Sequence, residues 1–360
     1  MTQRACVSLG VVLLLALLPN TSLRGQATSG PPVLDIPESA MDRPLQPGDI
    51  AKIAAYTGYW TDRLAAAASQ DEILRAQQGV VEGYKLFASP YYQTEYARAL
   101  SGKLLGLLNV EGKQLAAASV AAQMQSYTIQ PALEAMLASN NAGVRYWGAR
   151  GYRNAGKSIM TQGGNALNTM LNSLQKIGAN DSCGIIVGAT FRALLPDPAI
   201  KGPSAVAARA ALDKIWMAHL PDLQIAQPDF VEAYDEMVKL LARNEPDEAA
   251  LALQLLDDVL ETATQALTLS ENQTDPAAKA LSDLVEGAET RLTAMVGKTG
   301  VGPVTAIIRD ARVARDVAFT RARLEVVNTW RPLLAAKGVK VRTPPPPATS
   351  PASAPAATPS

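Results

Sequence analysis

Residues 131–151 read PALEAMLASNNAGVRYWGARG, and this stretch decides the class of fold. An apolar segment, Pro131–Leu137, leads into a polar turn at Ser139–Asn141. The next segment, Ala142–Gly151, contains several small residues, which let a neighbouring helix approach closely. The pattern therefore predicts two helices that are joined by a short turn and packed against other helices.

The same pattern returns further along the chain. The apolar segment Ala166–Leu171 leads into Asp181 and then into a segment with small residues, Cys183–Ala189. The stretch Val144–Gly151 resembles the second helix of a HEAT-type repeat. The chain as a whole resembles an exported bacterial protein with such repeats. The HEAT-type resemblance covers about residues 131–195 and implies helix pairs stacked into a solenoid. Because any antiparallel helical bundle produces such patterns, an irregular bundle is the alternative.

The rest of the chain also predicts helices, so the expected fold class is all-α, with antiparallel helix pairs in one domain over 46–340. A Ser69–Glu72 capping box marks one helix start, and Ser89-Pro90 marks another. Pro203 and Pro228 mark two more. The predicted helices span 49–68, 70–87, 90–108, 112–125, 129–139, 142–154, 164–177, 182–195, 204–219, 228–243, 246–268, 275–296 and 303–336.

The two ends of the sequence predict segments outside this domain. Residues 1–27 have one charge, Arg4, then about a dozen apolar residues and small residues up to Ala27, which is the layout of a signal peptide. We therefore expect an exported protein, periplasmic or extracellular. Residues 28–45 read as a linker, and 343–360, rich in Pro, Ala, Ser and Thr, as a disordered tail that is removable without loss of stability.

Composition limits the functions that the chain can have. Hydrophobic residues make up 48% of the sequence but aromatics only 5%, which favours close-packed helices. The net charge is zero, which argues against general nucleic-acid binding. After cleavage near Ala27 no apolar run approaches the roughly 20 residues of a membrane span, so we expect no transmembrane segment.

The sequence contains one match to a phosphate-binding motif, but the predicted structure around it does not fit that motif. Gly151, Gly156, Lys157 and Ser158 satisfy the G-x-x-x-x-G-K-S pattern. A phosphate-binding loop must follow a strand and precede a helix, whereas the residues before Gly151 predict a helix. We expect Gly156 to end that helix, and we predict no nucleotide, metal or other cofactor.

Candidate catalytic groups are few. His219 is the only histidine and precedes Leu220-Pro221, where we expect it to cap the end of its own helix. Cys183 lies among apolar residues, as an inert core thiol does. Paired acids, among them Asp257-Asp258, could serve a glycan-cleaving enzyme if two carboxyls met in a cleft, but no motif selects a pair, so no catalytic residue is predicted.

Aromatic residues concentrate in the N-terminal half. Six of them, with helical spacing, form a candidate partner-binding cluster: Tyr56, Tyr59, Trp60, Tyr91, Tyr92 and Tyr96. Exposed, they could stack on sugar rings or hold a peptide. Buried, they are the large residues of an Ala-rich core, which is the interpretation we favour.

Charge is segregated near the C-terminus. Between Asp229 and Glu289 there are 15 acidic and three basic residues, and between Arg291 and Arg342 there are 11 basic and three acidic. We therefore expect the basic helix 303–336 to pack along the acidic helices of 228–290. Its predicted contact residues are Ile307, Val313, Val317, Leu324 and Val327.

Taken together, these patterns favour a non-enzymatic helical scaffold that binds an unidentified protein partner. The alternatives are an envelope glycan-binding protein that uses the tyrosine-rich half and a carboxylate-based glycan-cleaving enzyme.

Overall fold

The computed structural model describes residues 30–37, 43–195, 197–241, 249–310 and 312–342. These residues are 76% helical and contain no strand, so the all-α prediction is confirmed. They form two compact units that divide between Gln162 and Gly163. The single helical domain over 46–340 stays a prediction. The signal-peptide prediction over 1–27 and the tail prediction over 343–360 lie outside the described residues.

The described part of the first unit contains six α-helices. The predicted starts at Ser69 and Ser89 are confirmed, since each serine oxygen accepts a hydrogen bond from a backbone N–H three residues later. Part of the predicted linker packs on this unit, because Leu34, Ile36 and Leu45 are buried. The helices are α1 Pro47–Ala66, α2 Gln70–Lys85, α3 Pro90–Leu107, α4 Gln114–Ala121, α5 Gln130–Leu137 and α6 Ala142–Gln162.

Small residues set the spacing of helices in this unit, as predicted for Ala142–Gly151. A Cβ added to Gly151 would lie 2.4 Å from the Leu133 side chain of α5, and one at Gly148 would lie 3.1 Å from Leu137. Glycine is therefore needed on α6 for α5 to pack this closely. The packed helix pairs are compatible with a helical repeat.

The second unit contains nine α-helices in its described part. It is held by a large apolar core in which Trp216, Phe191 and Tyr234 have ring centroids 4.5–5.5 Å apart. The predicted starts at Pro203 and Pro228 are confirmed. The helices are α7 Gly164–Gly178, α8 Gly184–Leu194, α9 Pro203–Gln224, α10 Pro228–Leu241, α11 Ala249–Leu267, α12 Asp275–Met295, α13 Pro303–Ile308, α14 Arg315–Glu325 and α15 Arg331–Ala336.

Two predicted helix ends are wrong. Helix α6 passes through Gly156 and ends at Gln162, because Gly163 and Gly164 adopt positive φ angles of 65° and 55°. Helix α9 continues through Pro221 to Gln224.

The predicted helix over 303–336 is interrupted between Ile308 and Arg315. There the Asp310 carboxylate accepts a hydrogen bond from the Arg312 backbone N–H at 3.1 Å, which competes with helical bonding. A π-helical turn, Val326–Trp330, connects α14 to α15.

The C-terminal helices pack on the acidic helices, as the charge segregation predicted. Helix α13 contacts α12, and α14 contacts α11. The predicted contact residues are largely wrong, since Val317, Leu324 and Val327 are 39%, 55% and 40% exposed. The packed face of the segment consists instead of Ala318, Phe319, Ala322, Val326, Trp330 and Leu334, all of which are buried.

Candidate functional site

The aromatic cluster of the first unit is mostly part of the core. Tyr92 and Tyr96 have no exposed surface, and their hydroxyls donate to the backbone oxygens of Gly83 and Val80 at 2.6 and 2.7 Å. Burial raises the pKa of both phenols, so they remain neutral donors. These two tyrosines therefore cannot contact a partner, in line with the interpretation of the cluster as core.

The other four aromatic residues are only partly accessible. Trp60 packs against Gly79 of α2, where an added Cβ would lie 2.3 Å from the indole ring, and Tyr56 donates to the Gly79 oxygen at 3.2 Å. Arg63 covers the ring of Tyr59 at 4.7 Å. Tyr91 is 44% exposed. Of the six, Tyr91 thus presents the most accessible ring for stacking.

The residues of the phosphate-binding motif do not form a loop. Gly151, Gly156, Lys157 and Ser158 all lie inside α6. Ser158 uses its oxygen to accept a hydrogen bond from the Tyr127 backbone N–H at 3.1 Å. Since the backbone N–H groups of a continuous helix bond within the helix, they are not arranged around a phosphate.

His219 stabilises a different helix from the one predicted. Because α9 continues to Gln224, His219 does not cap it. Its Nε2 instead contacts the backbone oxygen of Gly178, the last residue of α7, at 2.5 Å, and its Nδ1 contacts Asp222 at 2.7 Å. The ring also stacks on Phe230. His219 therefore connects α7, α9 and α10.

Buried carboxylates meet arginines beside α11. Asp257, Asp258 and Glu261 are at most 3% exposed. The Arg342 guanidinium donates to both Asp258 and Asp213, with Nη1–Oδ distances of 2.7 and 2.9 Å to Asp213. This pairing offsets part of the cost of placing charges in the core.

Burial dominates the protonation of two of these acids. It raises the pKa of Asp257 to about 6, against the opposing charge of Arg331. It raises the pKa of Asp258 to about 7, against Arg342. Asp257 Oδ1 is buried with no hydrogen-bond partner among the described residues. Shifts of this size also occur at catalytic acids, but here the carboxylates face arginines of their own chain.

A second buried acid fixes the start of α13. Glu289 has no exposed surface, and its carboxylate accepts from Trp330 Nε1 at 2.7 Å and from the backbone N–H groups of Val304 and Thr305 at 2.9 and 2.7 Å. It therefore satisfies donors of α13 and of the π-helical turn at once. The sequence did not single out Glu289 or Arg342, because their partners lie 15 to 129 positions away.

Helix α14 has apolar residues on two opposite sides. One side packs inward through Phe319 and Ala322. Val317 and Leu324 lie on the exposed side, as does Val327 of the π-helical turn that follows. Arg321 is exposed between them. We call the group Val317, Arg321, Leu324 and Val327 the outer face of α14.

A cleft of about 650 Å³ opens between α12 on one side and α13 and α14 on the other. Its apolar residues are Ala278, Ile308, Val313, Ala318 and Phe319. Its charged residues include Lys279, Arg309 and Arg315. This size is typical of sites for small ligands.

The described residues contain no group of three or more His, Cys, Asp or Glu side chains arranged to hold a metal ion. Within the same ranges, no helix is both long and apolar enough to cross a bilayer. The sequence matches no protein-family model, and no curated protein is significantly similar to it.

Proposed function

We propose that this protein is an exported, non-enzymatic helical scaffold that binds another protein through the outer face of α14. The observation that carries the proposal is the exposure of apolar residues there: Leu324 is 55% exposed, whereas Phe319 on the opposite side is 3% exposed. Exposed apolar residues that cluster on one surface mark sites of protein interaction. A partner helix with an acidic residue opposite Arg321 would complement this face.

The helical framework supports the scaffold role. Helix pairs packed through glycines, as at Gly148 and Gly151 of α6, favour a HEAT-like arrangement over residues 131–195. Proteins built from such pairs present extended surfaces to other proteins. The N-terminal pattern up to Ala27 supports export.

The two alternative functions have less support. Glycan binding through the aromatic cluster cannot use Tyr92 and Tyr96, because both rings are buried. A carboxylate enzyme needs an acid and a base that converge on substrate, whereas Asp258 is engaged by Arg342. No observation on the described residues favours either alternative over protein binding.

Site-specific photocrosslinking in the producing cells tests the proposal. A photoreactive residue replacing Val317 should give one discrete crosslinked protein. Leu324→Glu should reduce that product at least about tenfold, because it places a charge in an apolar contact. The matched control is Val206→Glu on α9, since Val206 is 61% exposed but lies on another helix.

Both variants should keep the melting temperature of the unchanged protein, because exposed positions contribute little to stability. If Leu324→Glu leaves the crosslinked product unchanged, or Val206→Glu removes it equally, the outer face of α14 is not the binding surface.

A further inference from the structure

The cleft between α12, α13 and α14 combines an apolar floor with three cations at its edge. Ala278, Ala318 and Phe319 form the floor and are only 3–4% exposed. Lys279 lies on α12, while Arg309 and Arg315 flank the interruption between α13 and α14. The break in the predicted helix 303–336 therefore creates the cleft and places two guanidiniums beside it.

The two arginines are held by exposed ion pairs. Arg309 pairs with Glu286 through Nη2, and its side chain is 57% exposed. Arg315 pairs with Asp275 through Nη1 at 2.7 Å, and its side chain is 55% exposed. Such solvent-exposed pairs are weak and easily exchanged. Each guanidinium carries five N–H donors in a planar fork, which matches a carboxylate bidentately.

Two acids, Asp275 and Asp310, line the cleft beside these cations. Asp310 also lines the cleft, but Arg312 already binds it bidentately, with N–O distances of 2.8 and 2.9 Å. This pairing lowers the pKa of Asp310 to about 2. Asp275 is 87% exposed and can turn toward solvent when another carboxylate arrives.

We infer that this cleft binds a small carboxylic acid with an apolar chain or ring, its carboxylate between Arg309 and Arg315 and its apolar part on the floor. The cleft is lined by residues of α12, α13 and α14 and has a volume of about 650 Å³, which is the size of small-molecule sites. This binding site is separate from the outer face of α14 and does not rest on the proposed protein interaction.

Titration of the full chain with octanoate tests the inference. Methyl NMR should show saturable shifts at Ile308, which lines the cleft. Octanamide lacks the charge and should bind at least about tenfold more weakly, because it cannot make the charge-assisted hydrogen bonds. Acetate lacks the apolar chain and should also bind at least about tenfold more weakly, because it buries less apolar surface.

Arg309→Gln combined with Arg315→Gln should weaken octanoate binding about tenfold or more. Arg98→Gln is the matched control, because it removes a 55% exposed arginine of α3 that does not line the cleft. Circular dichroism should show the same helix content for all variants.

Three results would overturn the inference: octanamide binding as tightly as octanoate, unchanged affinity in the double variant, or shifts that avoid Ile308. Tighter binding of N-acetyl-leucine than of octanoate would show that the cleft takes the C-terminus of a polypeptide instead. Since Leu324 does not line the cleft, Leu324→Glu should leave octanoate binding unchanged, which separates this test from that of the proposed function.

Discussion

Single charged residues determine how the C-terminal segment of this protein is held. Arg342 connects α9 and α11 through Asp213 and Asp258, and Glu289 accepts hydrogen bonds from both α13 and Trp330. Each replaces water as a hydrogen-bond partner for groups that packing has buried, which keeps the cost of their burial low.

The buried Asp257 carboxylate has no hydrogen-bond partner for its Oδ1 among the described residues, and it should make stability depend on pH. Its folded-state pKa of about 6 is above the unfolded value of 3.8, so the folded protein binds the proton more tightly. Its contribution to stability therefore increases as pH falls from about 7 to about 4. At pH 7.5, Asp257→Asn should raise the free energy of unfolding by about 1–3 kcal/mol, because the buried charge is gone.

Urea unfolding at several pH values measures this effect. The difference between Asp257→Asn and the unchanged protein should shrink toward zero near pH 4. The control is Asp283→Asn on α12, where the carboxylate is 59% exposed and paired with Lys279. A loss of stability in Asp257→Asn at pH 7.5 would mean that the Asp257 charge is stabilising.

At the scale of the helices, glycines determine which pairs pack closely. On α2, Gly79 and Gly83 lie four residues apart and receive Trp60 and Tyr56, which lie four apart on α1. The order is reversed along the two helices, as antiparallel packing requires. The same spacing of aromatic residues that suggested a binding cluster thus serves the contact between α1 and α2.

Gly79→Ala should destabilise the protein, although alanine normally favours a helix. A Cβ at position 79 would lie 2.3 Å from the Trp60 ring, so the indole must move, at a cost of about 1–3 kcal/mol. Gly102→Ala on α3 is the matched control, because nothing lies within 4 Å of the added Cβ. That variant should gain about 0.5–1 kcal/mol. Thermal unfolding should show these opposite signs, and a gain in both would contradict the close contact.

At the scale of the whole molecule, the zero net charge conceals an acidic and a basic block within the second unit. The structure pairs them, as in Arg309–Glu286 and Arg315–Asp275. Because these pairs are exposed, each contributes only about 0–1 kcal/mol. Most of the stabilisation comes from burial of Phe319, Val326 and Trp330.

Truncation should separate the packed segment from the tail. A chain that ends at Gly302 should lose several kcal/mol of stability. It exposes the side of α11 that packs against α14 and the π-helical turn, and it removes the hydrogen-bond donors of Glu289. A chain that ends at Arg342 should keep its melting temperature. High salt should lower the stability of the full chain only modestly. An unchanged melting temperature after truncation at Gly302 would refute the stabilising role of the segment.

The sequence by itself determined the all-α class and several helix starts, such as those at Ser69, Ser89 and Pro228. These signals are local, because a helix start depends on hydrogen bonds within about one turn. The sequence also indicated that the basic segment packs on the acidic helices, since opposite charge is visible without coordinates.

Only the tertiary structure decided which side of α14 is buried, since apolar residues occupy both sides and periodicity alone does not choose between them. It also decided that Asp258 meets Arg342 across 84 positions and that Glu289 meets Trp330 across 41. Both proposed binding sites, the outer face of α14 and the cleft between α12, α13 and α14, follow from which side of α14 is buried. Such contacts depend on how whole helices pack, and the free energy of packing is gained over many distant residues at once.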